Sequence, residues 1–403
     1  MNDDARRSRL PAETWVLIGA AFVIALGFGL VAPALPQFAR SFGVGVAAAS
    51  AIVSSFALMR LLFAPVSGRL VQRFGEQPLY LTGLLIVALS TGACALAQSY
   101  WQLILLRSLG GIGSTMFTVS SLGLVIRLSP VRERGRVSGL WSTSFLLGSL
   151  TGPLLGGALS GLGLRVPFAI YAAALLLASA VVWWSLRGSH LAQPPGPATV
   201  PVTSFGAALA NPVYRAVLWS NFANGAAVFG VRMALVPLLV VEVLHESQGL
   251  AGVTLTVFAA GNAAVLFASG RLSDRLGRKP FLITGTLVCA TGTIALGLAP
   301  NPAWLLAASV VAGVGSGVYT PAQQAAVADV IGPNARGGPV LAGYQMAADL
   351  GTVLGPIAIG WLAQRVSYGF ALAATGMLLV VAAAGWTLVR EPLRRHLPAP
   401  AVS

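Results

Sequence analysis

Four charged side chains, Arg60, Arg107, Arg232 and Asp349, stand inside long apolar stretches of the sequence. Charge in such surroundings is costly and marks a functional site by default. A carboxylate there can take up and release a proton, and a cationic neighbour lowers its pKa and favours release. Arg60 lies roughly 15 Å along its stretch from one end, and Asp349 roughly 16 Å along its own, at 1.5 Å per helical residue. Asp349 is the one acid deep enough in such a stretch to carry a proton, and Arg60, Arg107 and Arg232 are the cations that could gate or couple to it. The three histidines, His190, His245 and His396, fall between apolar stretches, so a histidine relay is not expected.

The elements that must position these charges follow from composition. The chain has 403 residues, 56% apolar and 9% charged, with a mean hydropathy of +0.81. A soluble domain carries about 25% charged residues, so a soluble enzyme is excluded. Twelve apolar runs are each long enough to cross a bilayer as a helix: 14–38, 46–68, 79–98, 101–126, 137–160, 167–186, 214–241, 250–270, 280–299, 303–328, 339–363 and 368–389. They are numbered spans 1 to 12 below. The expected fold class is an all-α membrane protein of twelve transmembrane helices in two pseudo-symmetric six-helix bundles. The first run is a full span followed by eleven others, so no cleaved signal is expected.

The net charge of +14 is mostly an orientation signal. Arginines cluster in alternate loops (Arg6, Arg69, Arg127, Arg187, Arg271, Arg336 and Arg390 among them), whereas the opposite loops hold only Arg40, Arg165 and Arg365. The positive-inside rule then places both termini in the cytoplasm of a cell membrane. No basic stripe on a soluble face points to nucleic acid. Cys94 and Cys289 lie within apolar runs and read as packing thiols.

The sequence repeats itself. GRLVQRFG at Gly68 returns as GRLSDRLG at Gly270, and Arg134-Gly135 returns as Arg336-Gly337, both 202 residues later. GPLLGG at Gly152 returns as GPIAIG at Gly355, 203 residues later. Three matches at one spacing imply a duplicated six-span unit in parallel orientation. The expected organisation is a cytoplasmic N-terminus (1–13), a first bundle (14–186), a Pro/Ala/Gly-rich cytoplasmic linker (187–213), a second bundle (214–389) and a cytoplasmic tail (390–403).

Three motifs have a physical reading. Gly270 and Gly277 permit a tight turn between spans 8 and 9, where Asp274 can accept from helix N-terminal amides and pair with a basic neighbour. Arg275 and Arg278 belong to the same loop. The first-half counterpart has Gln72 in place of the acid and Glu76-Gln77 in place of the basic pair, so its charge relay should be weaker. In span 5, Gly148, Gly152, Gly156 and Gly157 surround Pro153, so three glycines share one face for close helix approach and the proline bends the axis. Helix packing alone is the reading of that pattern preferred over a coupling role.

GRLSDRLGRK at Gly270–Lys279, LRSLGGIG at Leu106–Gly113 and GSLTGPLLGG at Gly148–Gly157 together resemble the major facilitator superfamily over nearly the whole chain. The span count is most similar to its twelve-span drug:proton antiporters. The resemblance implies a cytoplasmic latch at Gly270–Lys279, with Arg336 and the start of span 5 as partners of Asp274. It also implies that Arg107 takes part in proton transfer, and that the span 5 bend seals one conformation. Spans 2 and 11 face each other in that fold, which makes an Arg60–Asp349 ion pair, released by protonation, one expectation. Pairing of Asp349 within its own half, with Arg232 or Tyr344, is the other.

The resembled fold lines a central cavity with spans 1, 4, 7 and 10, hence with Phe28, Phe117, Asn221, Asn224, Phe229, Tyr319 and Gln323, joined by Trp141 from span 5. Apolar walls with few polar groups suit an amphipathic small molecule, although for each aromatic taken singly packing or lipid contact is the preferred reading. Arg107 and Arg232 argue against an exclusively cationic cargo. The implied function is proton-coupled efflux of hydrophobic or amphipathic drug-like molecules by alternating access; transport of a small organic, possibly anionic, metabolite is the alternative. The expected partners are a small-molecule substrate, protons and the lipid bilayer, with the protein a monomer and no cofactor. No catalytic constellation, metal-ligand cluster or phosphate loop supports an enzyme.

Overall fold

A chain that crosses hydrocarbon must satisfy every backbone N–H and C=O internally, and helices do so within one segment. The computed structural model describes residues 11–128, 134–187, 204–331 and 338–391. The described residues hold no strand. Spans 1 to 6 are helices Ala12–Val31, Val46–Phe74, Glu76–Ala95, Tyr100–Leu128, Arg134–Ser160 and Val166–Leu186. Spans 7 to 12 are Pro212–Val243, Gln248–Leu276, Arg278–Gly297, Pro302–Ile331, Gly338–Arg365 and Tyr368–Thr387. Eleven of the described spans are apolar and long enough to cross a bilayer. Span 5 is a continuous helix of 27 residues that carries Pro153 inside it.

Two runs are less regular than their composition suggests. The run 14–38 breaks after Val31 and resumes as a short helix, Leu35–Arg40. Pro33 and Pro36 account for the break, because each lacks an N–H and disfavours helical geometry in the residue before it. Span 7 contains two π-helical segments, Gly225–Val231 and Leu239–Val243. The second follows Pro237, whose missing amide interrupts the regular ladder.

The chain forms two compact units: residues 1–197 with Met233–Thr256, and Ala198–Arg232 with Val257–Ser403. The division falls inside span 7 rather than at the linker alone. Within each unit, glycines let backbones approach. In the first, a Cβ added at Gly148, Gly152 or Gly156 would meet the backbone of Phe22, Leu26 or Leu30 in span 1. In the second, a Cβ at Gly351 or Gly355 would meet Phe222 or Ala226 in span 7.

The duplication extends to packing. Gly111 lies on the Phe56 carbonyl and Gly313 on that of Phe258; Gly83 faces Gly113 and Gly285 faces Gly315. Each of these contacts recurs after 202 residues. Small residues at such crossings gain van der Waals contact that lipid cannot replace.

Outside this packing the spans present apolar side chains such as Leu62, Leu89, Leu177 and Phe267. Most exposed tryptophans sit near span ends: Trp15, Trp101, Trp183 and Trp184 in the first unit, Trp304 and Trp361 in the second, with Trp219 deeper in span 7. That is the pattern of a surface solvated by acyl chains with an aromatic belt at the headgroups.

Candidate functional site

The four intramembrane charges are positioned by helix crossings that the glycines make possible. Arg60 donates from Nη1 to Ser114 Oγ at 3.0 Å, and the Thr115 hydroxyl donates to the Arg60 carbonyl at 3.1 Å. The repeat places Asn262 and Ser316 at the equivalent positions, and Asn262 Nδ2 donates to Ser316 Oγ at 3.0 Å. One bond between spans 2 and 4 thus recurs between spans 8 and 10, charged in one half and neutral in the other.

Arg107 is buried, with its guanidinium 4.1 Å from the centroid of the Phe56 ring. Phe28, half-buried in span 1, lies against the same Phe56 with ring centroids 6.3 Å apart. Arg232 is buried with its guanidinium 3.7 Å from the Phe258 centroid and donates to Ser309 Oγ at 3.4 Å. Asp349, 8% exposed, accepts from Gln345 Nε2 at 3.3 Å. Arg232 therefore turns to Ser309 and Phe258, and no Arg232 ion pair occurs among the described residues. The expected Arg60–Asp349 pair joins residues that belong to different units.

The expected cavity residues divide by chemistry. In the first unit they are rings: Phe117 packs on Tyr80 at 5.0 Å, and Trp141 stacks on Phe145 at 5.7 Å. In the second they are mostly polar and tied together. The Tyr319 hydroxyl donates to Asn224 Oδ1, and Asn221 Nδ2 donates to the Tyr344 carbonyl at 2.6 Å. Gln323 is fully buried, and its amide has no hydrogen-bond partner among the described residues. Phe229 is half-exposed.

At the loop between spans 8 and 9, Gly277 has φ +108°, and its first-half counterpart Gly75 has φ +85°. Both adopt a backbone open to glycine alone, so the turn is the same in each half. Arg278 pairs with Asp274, four residues earlier across the Gly277 turn, and with Asp329 of span 10 at 3.2 Å. Glu391, after span 12, accepts from the amides of Arg278 at 2.6 Å and Lys279 at 3.1 Å. A carboxylate at these otherwise unpaired N–H groups of span 9 also meets the positive end of the helix dipole. Lys279 Nζ donates to the carbonyls of Thr387 and Val389; in the first half Gln77 Nε2 donates to that of Leu186. Gly270 is half-buried and Arg275 exposed, and Arg336 lies outside the described residues.

Three partners escaped sequence reasoning. Asp329 and Glu391 meet Arg278 from distant spans with no local signal. Arg40, at the opposite end of its span from the arginine-rich loops, pairs with Glu242 at 2.6 Å. That pair carried a signal, since the two residues stand one repeat apart with opposite charge. Close by, Gln37 Nε2 reaches the Pro237 carbonyl at 3.5 Å. Gly157 of span 5 and Gly252 of span 8 are also in close contact, with a Cβ added at Gly157 meeting the Gly252 Cα at 2.9 Å.

Among the described residues, twelve long helices built from a duplicated unit, with buried charges and apolar rings, form the architecture of a solute transporter. The sequence matches the Major Facilitator Superfamily over residues 17–247 and 217–403, and the chain belongs to that family. It is 28% identical over 388 residues to the class C tetracycline resistance protein of Escherichia coli, covering 94% of this chain and 96% of that one. It is also 28% identical over 393 residues to multidrug resistance protein MdtG of Salmonella paratyphi C (strain RKS4594), covering 94% and 95%. The fold matches the crystal structure of a bacterial homologue of the human lysosomal transporter Spinster in an inward-facing, occupied conformation. The TM-score is 0.76 at 20% identity, covering 93% of this chain and 96% of that one.

Proposed function

We propose that this transporter exports hydrophobic or amphipathic drug-like molecules in exchange for protons, with its termini in the cytoplasm. The observation that carries the cargo class is near full-length similarity to a tetracycline resistance protein and a multidrug resistance protein. The first unit offers aromatic side chains and the second amides, and each is of the kind that a cargo with apolar bulk and a few polar groups engages.

Asp349 is the proton carrier. Every other carboxylate of the described spans lies within about a turn of a span end. Protonation removes the charge of Asp349, and with it the attraction that any cation facing it supplies. That gives one proton a differential effect on two conformations, which coupled transport requires.

The experiment is drug susceptibility after overexpression, repeated with a protonophore. Raised resistance that the protonophore abolishes supports proton-coupled efflux. Unchanged resistance across a broad panel of amphipathic drugs overturns it. A second reading, transport of a small organic anion, is favoured by one observation: three arginines against one aspartate inside the spans. Uptake of labelled organic acids into vesicles separates the two.

A further inference from the structure

Spans 4 and 10 are repeat counterparts, and 202 residues after Arg107 the sequence has Ser309. The second half therefore lost, or never had, the span 4 arginine at that position. Its place is nevertheless filled by a guanidinium. Arg232 of span 7 reaches Ser309 Oγ at 3.4 Å and lies over Phe258 at 3.7 Å. Arg107 lies over Phe56 at 4.1 Å, and Phe56 and Phe258 are themselves one repeat apart.

The two surroundings match further. Arg107 is 6% exposed and Arg232 3%, and Nε of each has no hydrogen-bond partner among the described residues. Neither forms an ion pair there. By sequence alone the counterpart of Arg232 is Leu30, so the equivalence exists only in space. The π-helical segment Gly225–Val231 ends immediately before Arg232. Such a wide turn re-aims the side chains that follow it and is common at functional sites.

A guanidinium buried without a carboxylate works against folding, and stacking on a ring offsets only part of that cost. Found once, such a residue has many explanations. Reached twice, by helices that are not counterparts, the arrangement points to a requirement for positive charge at that place.

We propose that Arg232 is a positioning residue for transport, the second half's functional equivalent of Arg107. The requirement is for a cation over Phe258, whichever span supplies it. This rests on the chain being a transporter and uses the proposed drug flux as its readout.

The test compares purified wild type with Arg232→Leu, Arg232→Lys and the relocation variant Arg232→Leu/Ser309→Arg, by dye flux in proteoliposomes and by thermal melting in detergent. Arg232→Leu is expected to lower flux about tenfold or more while melting no lower than wild type. Arg232→Lys should keep part of the flux, and relocation should restore it to within about threefold of wild type. The proposal is overturned if Arg232→Leu melts clearly lower than wild type, if it transports normally, or if the folded relocation variant recovers nothing. If wild type moves no amphipathic dye, the cargo reading fails instead. Melting then decides this proposal, since a merely structural Arg232 requires the leucine variant to be the less stable.

Discussion

Arg40 and Glu242 stand 202 residues apart, which is the period of the internal repeat, and join in an ion pair of 2.6 Å. Equivalent positions of the two halves thus carry opposite charges and close on each other. Arg40 also donates to the Val44 carbonyl, which fixes the guanidinium on its own side. The side chains are 35% and 26% exposed, so the pair is screened and contributes less than about 1 kcal/mol. The prediction is that the pair favours one conformation of the transporter over another. Arg40→Glu is expected to slow dye efflux severalfold, and the charge swap Arg40→Glu/Glu242→Arg to restore it. Equal flux in wild type and both variants, at low and high salt, would remove the pair from the account.

The glycine face of span 5 makes a second prediction. A Cβ at Gly156 would meet the Leu30 carbonyl and one at Gly152 the Leu26 carbonyl, whereas Gly19 has nothing within 4 Å. Gly152→Ala and Gly156→Ala should each cost about 1–3 kcal/mol of stability, as overpacking does. Gly19→Ala should be neutral. Melting temperatures of the detergent-solubilised proteins check both halves of the statement.

The turn before span 9 makes a third. Gly277→Ala forces a side chain onto φ +108° and towards the Glu391 carboxylate, at a cost of about 1–3 kcal/mol. Glu391→Ala leaves the amides of Arg278 and Lys279 without their acceptor and should cost about 1 kcal/mol. Arg278→Ala should lower stability too, because Asp274 and Asp329 lose the cation they share. In the first half, Gln77→Ala should do less than Lys279→Ala, since it removes one neutral bond where the lysine makes two charged ones.

The fold was legible because lipid leaves few choices: apolar runs of sufficient length become helices, and the repeat of Gly68–Gly75 at Gly270–Gly277 announced the second half. The repeat proved more informative than the motifs, since it also aligns Arg60 with Asn262 and Phe56 with Phe258. The site was only partly legible. Arg60, Arg107, Arg232 and Asp349 stood out by cost alone, yet their partners did not. Arg232 reaches Ser309 from a span whose π-helical turns no periodicity reveals. Asp274 takes Arg278 across the Gly277 turn, while Asp329 arrives from span 10 and Glu391 from beyond span 12, which local sequence cannot relate to the loop. The break at Pro33 was visible in principle, but apolar composition on both sides concealed it.

Proton coupling through Asp349 is the claim on which the proposed function turns. Proteoliposomes loaded with a fluorescent amphipathic dye and given an imposed pH gradient test it directly, with wild type compared against Asp349→Asn. Gradient-driven dye movement in wild type, lost in Asp349→Asn while dye exchange without a gradient continues, is the predicted result. Undiminished gradient-driven movement in Asp349→Asn would contradict it.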